Sequence, residues 1–236
     1  MIKAVFFDLD DTIYDYTWAD EAAMTALKSY CRRELGLSND DFEQYISAAI
    51  HMADDRTGKG CAATHNRLIR FQCMLEILKK PLFPHAYEMY RIYWNTLISS
   101  AKPEPGIREL MRSLRCRGTY VGIGTNMTAE IQYRKLEHLK LGQLIDGIVT
   151  SEEAGVEKPD KKLFFLCAQK ASASLHECVF VGDSIKNDIQ GAVRAGMHAV
   201  LYQKKEKKTK ETAGCPVIRD FSDYFKAEQS ALERSR

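Results

Sequence analysis

Met1-Ile2-Lys3-Ala4-Val5-Phe6-Phe7-Asp8-Leu9-Asp10-Asp11-Thr12 is the stretch from which the rest of the chain can be read. Ile2 to Phe7 is short, nearly all apolar and rich in β-branched and aromatic residues, as expected of a strand buried on both faces of a parallel sheet. The run ends abruptly in carboxylates. In open α/β sheets ligands bind beyond the carboxyl ends of the strands, which is where Asp8 and Asp10 fall. Alternation along extended chain sends both to one side and Leu9 to the other. Two adjacent carboxylates are costly unless a cation neutralises them, and a hard divalent ion with oxygen ligands is the natural partner. Taken alone, the same acids also suit a turn or a helix cap.

Working outward, the pattern after Thr12 turns helical. Thr17-Trp18-Ala19-Asp20 resembles a capped start, and Ala19, Ala23, Leu27, Tyr30 and Cys31 recur at helical spacing up to Gly36. Ser38 caps a second helix with Phe42, Tyr45, Ile46, Ala49 and Ile50 on one face, and Gly58 and Gly60 break the chain after it. A third helix carries Leu68, Phe71, Leu75 and Leu78. Pro84 suits the first turn of a fourth, which carries Tyr87, Tyr90, Trp94, Leu97 and Ile98. Four such helices make a small antiparallel bundle, bounded by Pro103-Glu104-Pro105-Gly106. Beyond it helices and strands alternate. Strands are expected at 119–124, 145–149, 178–181 and 199–202, with helices near 107–115, 129–139, 161–171 and 189–195. Alternation of this kind implies a parallel sheet flanked by helices. The expected organisation is an α/β core of residues 1–14 and 102–236 with a helical insertion at 15–101. The tail at 221–225 reads as a short docking helix, with fraying beyond Glu228.

Composition removes several alternatives. The 236 residues hold 34 basic and 32 acidic side chains, so a net charge of +2 gives no general case for nucleic acid or membrane binding. No apolar run reaches the roughly 18 residues of a membrane span, and the N-terminal apolar stretch is too short for a signal peptide. Seven scattered cysteines without a Cys-x-x-Cys pair fit reduced thiols in a cytoplasm. The run Lys204-Lys205-Glu206-Lys207-Lys208-Thr209-Lys210 reads as a solvated surface loop.

Three later stretches bear on how the opening one is read. The strand ending in Thr125-Asn126 offers a hydroxyl and backbone N–H groups suited to phosphate oxygens, although a strand-end threonine is more often a helix cap. Glu157-Lys158-Pro159-Asp160 follows Gly155 and places a lysine after the next strand. Val179-Phe180-Val181-Gly182-Asp183-Ser184-Ile185-Lys186-Asn187-Asp188 is again an apolar strand ending in acids.

The joint order Asp-x-Asp-x-Thr, strand-end Thr, Lys-Pro and Gly-Asp-Ser-x-x-Asn-Asp resembles the haloacid dehalogenase-like hydrolase superfamily, over roughly residues 1–202. Within it, the sequence is similar to phosphatases with a helical cap after the first strand, including cytosolic 5′-nucleotidase types. The resemblance implies a Rossmann-like parallel sheet with an inserted four-helix-bundle cap. It implies Asp8 as the nucleophile that forms an aspartyl-phosphate, and Asp10 as the general acid and base. Thr125, Asn126 and Lys158 would bind the phosphoryl group. Asp8, the Asp10 carbonyl and Asp183 would hold Mg2+, supported by Thr12 and Asp188. A haloacid dehalogenase would lack the aspartate at position 10. A phosphomutase remains an alternative, and a phospho-accepting receiver module fits the motif order poorly. The implied substrate is a small phosphomonoester, a nucleoside 5′-monophosphate or a sugar phosphate, handled by a monomer or homodimer. Tyr16, with Arg56, Lys59 and His65 on an expected loop over 54–65, are candidates for reading its leaving group, with a solvated loop as the alternative.

Overall fold

The fold is seen in a computed structural model that describes residues 1–58, 60–204 and 214–233, so Lys59 and the greater part of the basic run 204–210 lie outside it. In chain order the elements are β1 (Ala4–Phe7), α1 (Tyr16–Tyr30), α2 (Asn39–Thr57), α3 (Arg67–Ile77), α4 (His85–Ser100), α5 (Ile107–Cys116), β2 (Tyr120–Thr125), α6 (Ala129–His138), β3 (Gly147–Thr150), the one-turn α7 (Ser151–Ala154), α8 (Lys161–Lys170), β4 (Cys178–Gly182), α9 (Gln190–Ala195), β5 (His198–Tyr202), β6 (Val217–Ile218) and α10 (Tyr224–Glu233). They fall into two compact units, Met1–Asp15 with Lys102–Arg236, and Tyr16–Ala101.

The first unit is a six-stranded sheet in the order β3-β2-β1-β4-β5-β6, and every pairing is parallel. β1 is central and fully buried, flanked by β2 and β4, which accounts for its unbroken apolar run. The chain builds outward from β1 to β3, then crosses to β4 on the other side. The strand order therefore reverses at β1/β4, and a crevice opens at the carboxyl ends of strands at such a point. Phe6, Phe164 and Phe180 pack in one buried cluster, with Phe164 and Phe180 edge to face at 5.1 Å. Burial of each ring contributes about 1.5–3 kcal/mol. Gly122 of β2 makes room for it, since a Cβ there would lie 2.3 Å from the Phe6 ring.

Two features of this unit differ from the sequence expectation. β6 is only two residues long, below what periodicity can register, and it exists because Val217 and Ile218 pair with Leu201 and Tyr202. Residues 229–233 are helical where fraying was expected. α10 continues to Glu233 because Tyr224, Ala227 and Ala231 bury one face of it.

The second unit is helical, with α1 packed on α4, α2 on α3, and α3 on α4. α1 runs on through a π-helical turn, Cys31–Leu35, and ends at Gly36, whose φ of 71° is left-handed. Ser38 caps α2 in a reciprocal pair with Asp41. α2 continues to Thr57, so the first part of the segment expected as a loop over 54–65 is helix, and residues 62–65 form a short 3-10 turn. Both tryptophans of the chain, Trp18 and Trp94, belong to this unit. The Arg67 guanidinium lies over the rings of Tyr93 and Trp94, 5.5 and 5.7 Å from their centroids.

Candidate active site

β1 stops at Phe7, and the next residue still belongs to the sheet's hydrogen bonding, because Asp8 N–H donates to the Val181 carbonyl at 2.8 Å. That bond fixes Asp8 beside the end of β4. The chain then turns sharply: Asp11 takes the left-handed conformation at φ 57°, and Ile13 N–H returns to the Leu9 carbonyl at 3.0 Å. The turn brings Tyr14 back over Asp10, to whose Oδ1 its hydroxyl donates at 2.5 Å.

Two clusters grow from these two aspartates. Around Asp8, carboxylate oxygens of Asp8, Asp183 and Asp188 lie within 4.8 Å of one another. Lys158, with its side chain 2% exposed, is ion-paired to Asp8 at 2.8 Å and to Asp188 at 2.7 Å, and donates to the Gly124 carbonyl at 3.0 Å. Asn126 anchors that lysine's backbone: its Oδ1 accepts from Lys158 N–H at 2.8 Å and its Nδ2 donates to the Lys158 carbonyl at 3.3 Å. Asp188 is fully buried in a π-helical turn, Ile185–Ile189, and accepts from Ser184 N–H at 2.9 Å. Only glycine fits opposite it, since a Cβ on Gly182 would lie 2.4 Å from the Asp188 carboxyl carbon.

With all three carboxylates ionised, a single ammonium would leave two negative charges in this cluster. Burial pushes the Asp8 carboxyl up; Lys158 opposes this while Asp188 and Asp183 add to it, and the result is about 8. The group fits a hard divalent cation, which supplies the missing charge and takes oxygen ligands.

Around Asp10 the balance differs, and its carboxylate is not part of the three-acid group. Oδ1 accepts from Lys135 Nζ at 2.7 Å and from Tyr14, and Oδ2 accepts from Gln132 Nε2 at 3.3 Å. Burial pushes this carboxyl up as well, but Lys135, Tyr14 and Gln132 together outweigh it and hold Asp10 below the ordinary carboxylate value. Gln132 Nε2 also donates to Thr125 Oγ1 at 2.7 Å. With its oxygen so engaged, buried Thr125 keeps its own hydroxyl proton to donate elsewhere. Thr12 is fully buried and its hydroxyl has no hydrogen-bond partner among the described residues.

Gln132 and Lys135 were not singled out from the sequence. The available signal was their phase: on α6 the buried positions are Ile131, Gln132, Lys135 and Leu136, so an amide and an ammonium occupy half of the inward stripe. In the helical unit, Tyr16 opens α1 with its hydroxyl donating to Asp20 at 3.3 Å, accepting from Arg67 at 3.1 Å and lying 3.1 Å from the Tyr93 hydroxyl. Arg56 sits in the last turn of α2, ion-paired to Glu76 at 2.6 Å, and His65 ends the 3-10 turn. The structure therefore does not gather Arg56 and His65 on one loop, and Lys59 lies outside the described residues.

Comparison with known proteins gives a consistent picture. A family model described as haloacid dehalogenase-like hydrolase matches residues 5–202. The chain is 33% identical over 210 residues to the ribulose-1,5-bisphosphate 5-phosphatase of Halopiger xanaduensis, covering 88% of this chain and 87% of that protein. It is 31% identical over 223 residues to the glyceraldehyde 3-phosphate phosphatase of Methanopyrus kandleri, covering 94% and 92%. Among solved structures, the 2-haloacid dehalogenase of Pseudomonas syringae pv. Tomato DC3000 superposes with a TM-score of 0.77 over the full length of both chains, at 24% identity, a likeness of fold.

Proposed function

The chain belongs to the haloacid dehalogenase-like hydrolase family, and from that premise we propose that it is a Mg2+-dependent phosphomonoester hydrolase acting on a small phosphorylated sugar through an aspartyl-phosphate. The observation that carries the reading is Lys158, buried between Asp8 and Asp188 with Asp183 alongside, at the carboxyl ends of the parallel strands. Phosphoryl transfer asks for positioning and charge neutralisation, and this cluster offers both.

In the proposed reaction an Asp8 oxygen attacks phosphorus while the bond to the leaving oxygen breaks. Lys158 and the hydroxyl of Thr125 bind phosphoryl oxygens. Asp10 passes a proton to the leaving oxygen, then accepts one from the water that attacks phosphorus and breaks its bond to Asp8. Lys135 and its neighbours hold Asp10 ionised at neutral pH, so the first proton enters with the substrate, whose phosphate has its second pKa near roughly 6. Asp8, Asp183 and the buried Asp188 region are where Mg2+ would be held; when bound, it neutralises charge on the phosphoryl group and keeps Asp8 ionised.

An aspartate at position 10 separates this reading from the dehalogenase activity carried by the same fold. The named phosphatase relatives favour sugar phosphates, ahead of the nucleoside 5′-monophosphates that the sequence resemblance suggested. The inserted residues 15–101 would serve as the cap that distinguishes one leaving group from another, with Tyr16 as its first candidate. The test is a phosphate-release screen over sugar phosphates, nucleoside monophosphates and 4-nitrophenyl phosphate, run with the wild type and Asp8→Asn. Turnover confined to the wild type, highest on a sugar phosphate, supports the proposal. Equal rates for a folded Asp8→Asn protein would remove Asp8 as nucleophile, and conversion of a sugar phosphate to its isomer without phosphate release would make the protein a mutase.

A further inference from the structure

An ammonium with no exposed surface at all is an unusual thing to place on the inner face of a helix, where leucine would pack without any desolvation cost. Lys135 is in that position, and its side chain reaches Asp10 Oδ1 at 2.7 Å. Replacing a buried ion pair by apolar residues is often neutral or stabilising, so stability alone does not explain the lysine. Its neighbour one turn earlier, Gln132, is equally buried and donates to both Asp10 Oδ2 and Thr125 Oγ1. Tyr14 adds a second donor to Oδ1 from the opposite end of the turn that follows β1. The two oxygens of Asp10 are therefore treated unequally. Oδ1 receives two short contacts, from Lys135 and Tyr14, and Oδ2 receives the longer one from Gln132.

We propose that Lys135 is a positioning residue: with Tyr14 it immobilises Oδ1, so that the Asp10 carboxylate cannot rotate and proton exchange with the leaving oxygen is confined to Oδ2. This rests on the proposed role of Asp10 and adds the residues that make it stereochemically definite. Gln132 extends the same frame to Thr125, so that the proton-carrying group and a phosphoryl-binding group share one support on α6. A carboxylate left free to rotate would spend much of its time misaligned, and misalignment of a general acid is expensive in rate.

The test compares kcat/KM, which reports only the steps up to phosphoryl transfer to the protein, on two substrates. Glycerol 2-phosphate has an alkoxide leaving group that needs a proton; 4-nitrophenyl phosphate has one that leaves without it. Lys135→Met should lose roughly 100-fold on the first and less than about tenfold on the second. Because Lys135 acts through Asp10, adding Lys135→Met to Asp10→Asn should change neither value further. Tyr14→Phe, which removes one hydroxyl and keeps the ring, should give the same selective loss in smaller measure and serves if Lys135→Met does not fold. Equal losses on both substrates, or a full additional loss in the Asp10→Asn background, would overturn the assignment. A wild-type protein that releases phosphate from neither of these nor from any sugar phosphate in the screen would instead sink the underlying phosphatase reading, and this inference with it.

Discussion

Lys158→Met removes the one cation that the described structure places between Asp8 and Asp188, and its effect can be worked out in parts. The substitution keeps the length of the side chain while losing two ion pairs of 2.8 and 2.7 Å and the hydrogen bond to Gly124. Breaking a buried pair costs about 3–5 kcal/mol because the remaining charge is left uncompensated. The loss depends on pH. Asp8, raised to about 8 in the folded protein, binds a proton more tightly there than in the unfolded chain. Its contribution to stability is therefore complete below the unfolded carboxylate value and fades as pH rises towards 8. Without Lys158 the folded value climbs further, so the variant goes on losing stability above pH 8 where the wild type has levelled off. The gap between the two proteins should widen by up to about 1.4 kcal/mol per pH unit there. At about 2–4 °C per kcal/mol, the base loss corresponds to a melting temperature lower by roughly 6–20 °C. Calorimetry without divalent metal at pH 6 and pH 9 is the appropriate assay, since both tryptophans belong to the helical unit and their fluorescence would follow the wrong part of the chain. A loss below about 1 kcal/mol, or one that is the same at both pH values, would refute the claim that Lys158 compensates two buried carboxylates.

Other outcomes follow from the same cluster. Mg2+ should raise the melting temperature of the metal-free protein more at pH 8.5 than at pH 6, because at the lower pH the ion must displace a proton from Asp8; a shift independent of pH would count against Asp8 as a ligand. Activity should vanish in excess EDTA and return with Mg2+ but poorly with Ca2+, whose looser coordination misplaces Asp8; full activity in EDTA would exclude the metal requirement. Gly182→Ala pushes a methyl group to 2.4 Å from the Asp188 carboxyl carbon, so it should cost about 1–3 kcal/mol and lower kcat at least tenfold. Unchanged melting and turnover would show that Asp188 can move without consequence.

The sheet was legible because its strands read as short apolar runs, two of which, Ala4–Phe7 and Cys178–Gly182, run straight into acids. The placement of Asp8 and Asp183 at strand ends followed from that pattern, whereas Lys158 lies beyond β3 and the one-turn α7, in the loop after Gly155. Asp188 needed more, since its proximity to Lys158 depends on a π-helical turn and on a glycine opposite it, neither of which has a local periodicity. The partners of Asp10 were missed for a related reason. Gln132 and Lys135 lie more than a hundred residues along the chain, and a buried lysine looks like a surface lysine until the helix phase is compared with its apolar neighbours. Arg56 illustrates the opposite error. A charged residue close to Gly58 suggests an open loop, whereas helix α2 continues past it and Glu76 of α3 takes its charge.

The central place of β1 also has a consequence for how the protein is made. Its neighbours β2 and β4 are encoded roughly 110 and 170 residues after it. At about 5–20 residues per second, a ribosome needs roughly 6–20 s to supply even the first of them. Residues 16–101 are contiguous and helical, and even their longest pairing, α1 on α4, needs nothing made after Ser100, so they can organise during that wait. Ala4-Val5-Phe6-Phe7 cannot, and every nascent chain shorter than about 178 residues carries the strand leading into Asp8 with an open apolar edge. Those partial chains are the species most in need of a chaperone, and an mRNA pause placed soon after the helical segment would lengthen their exposure.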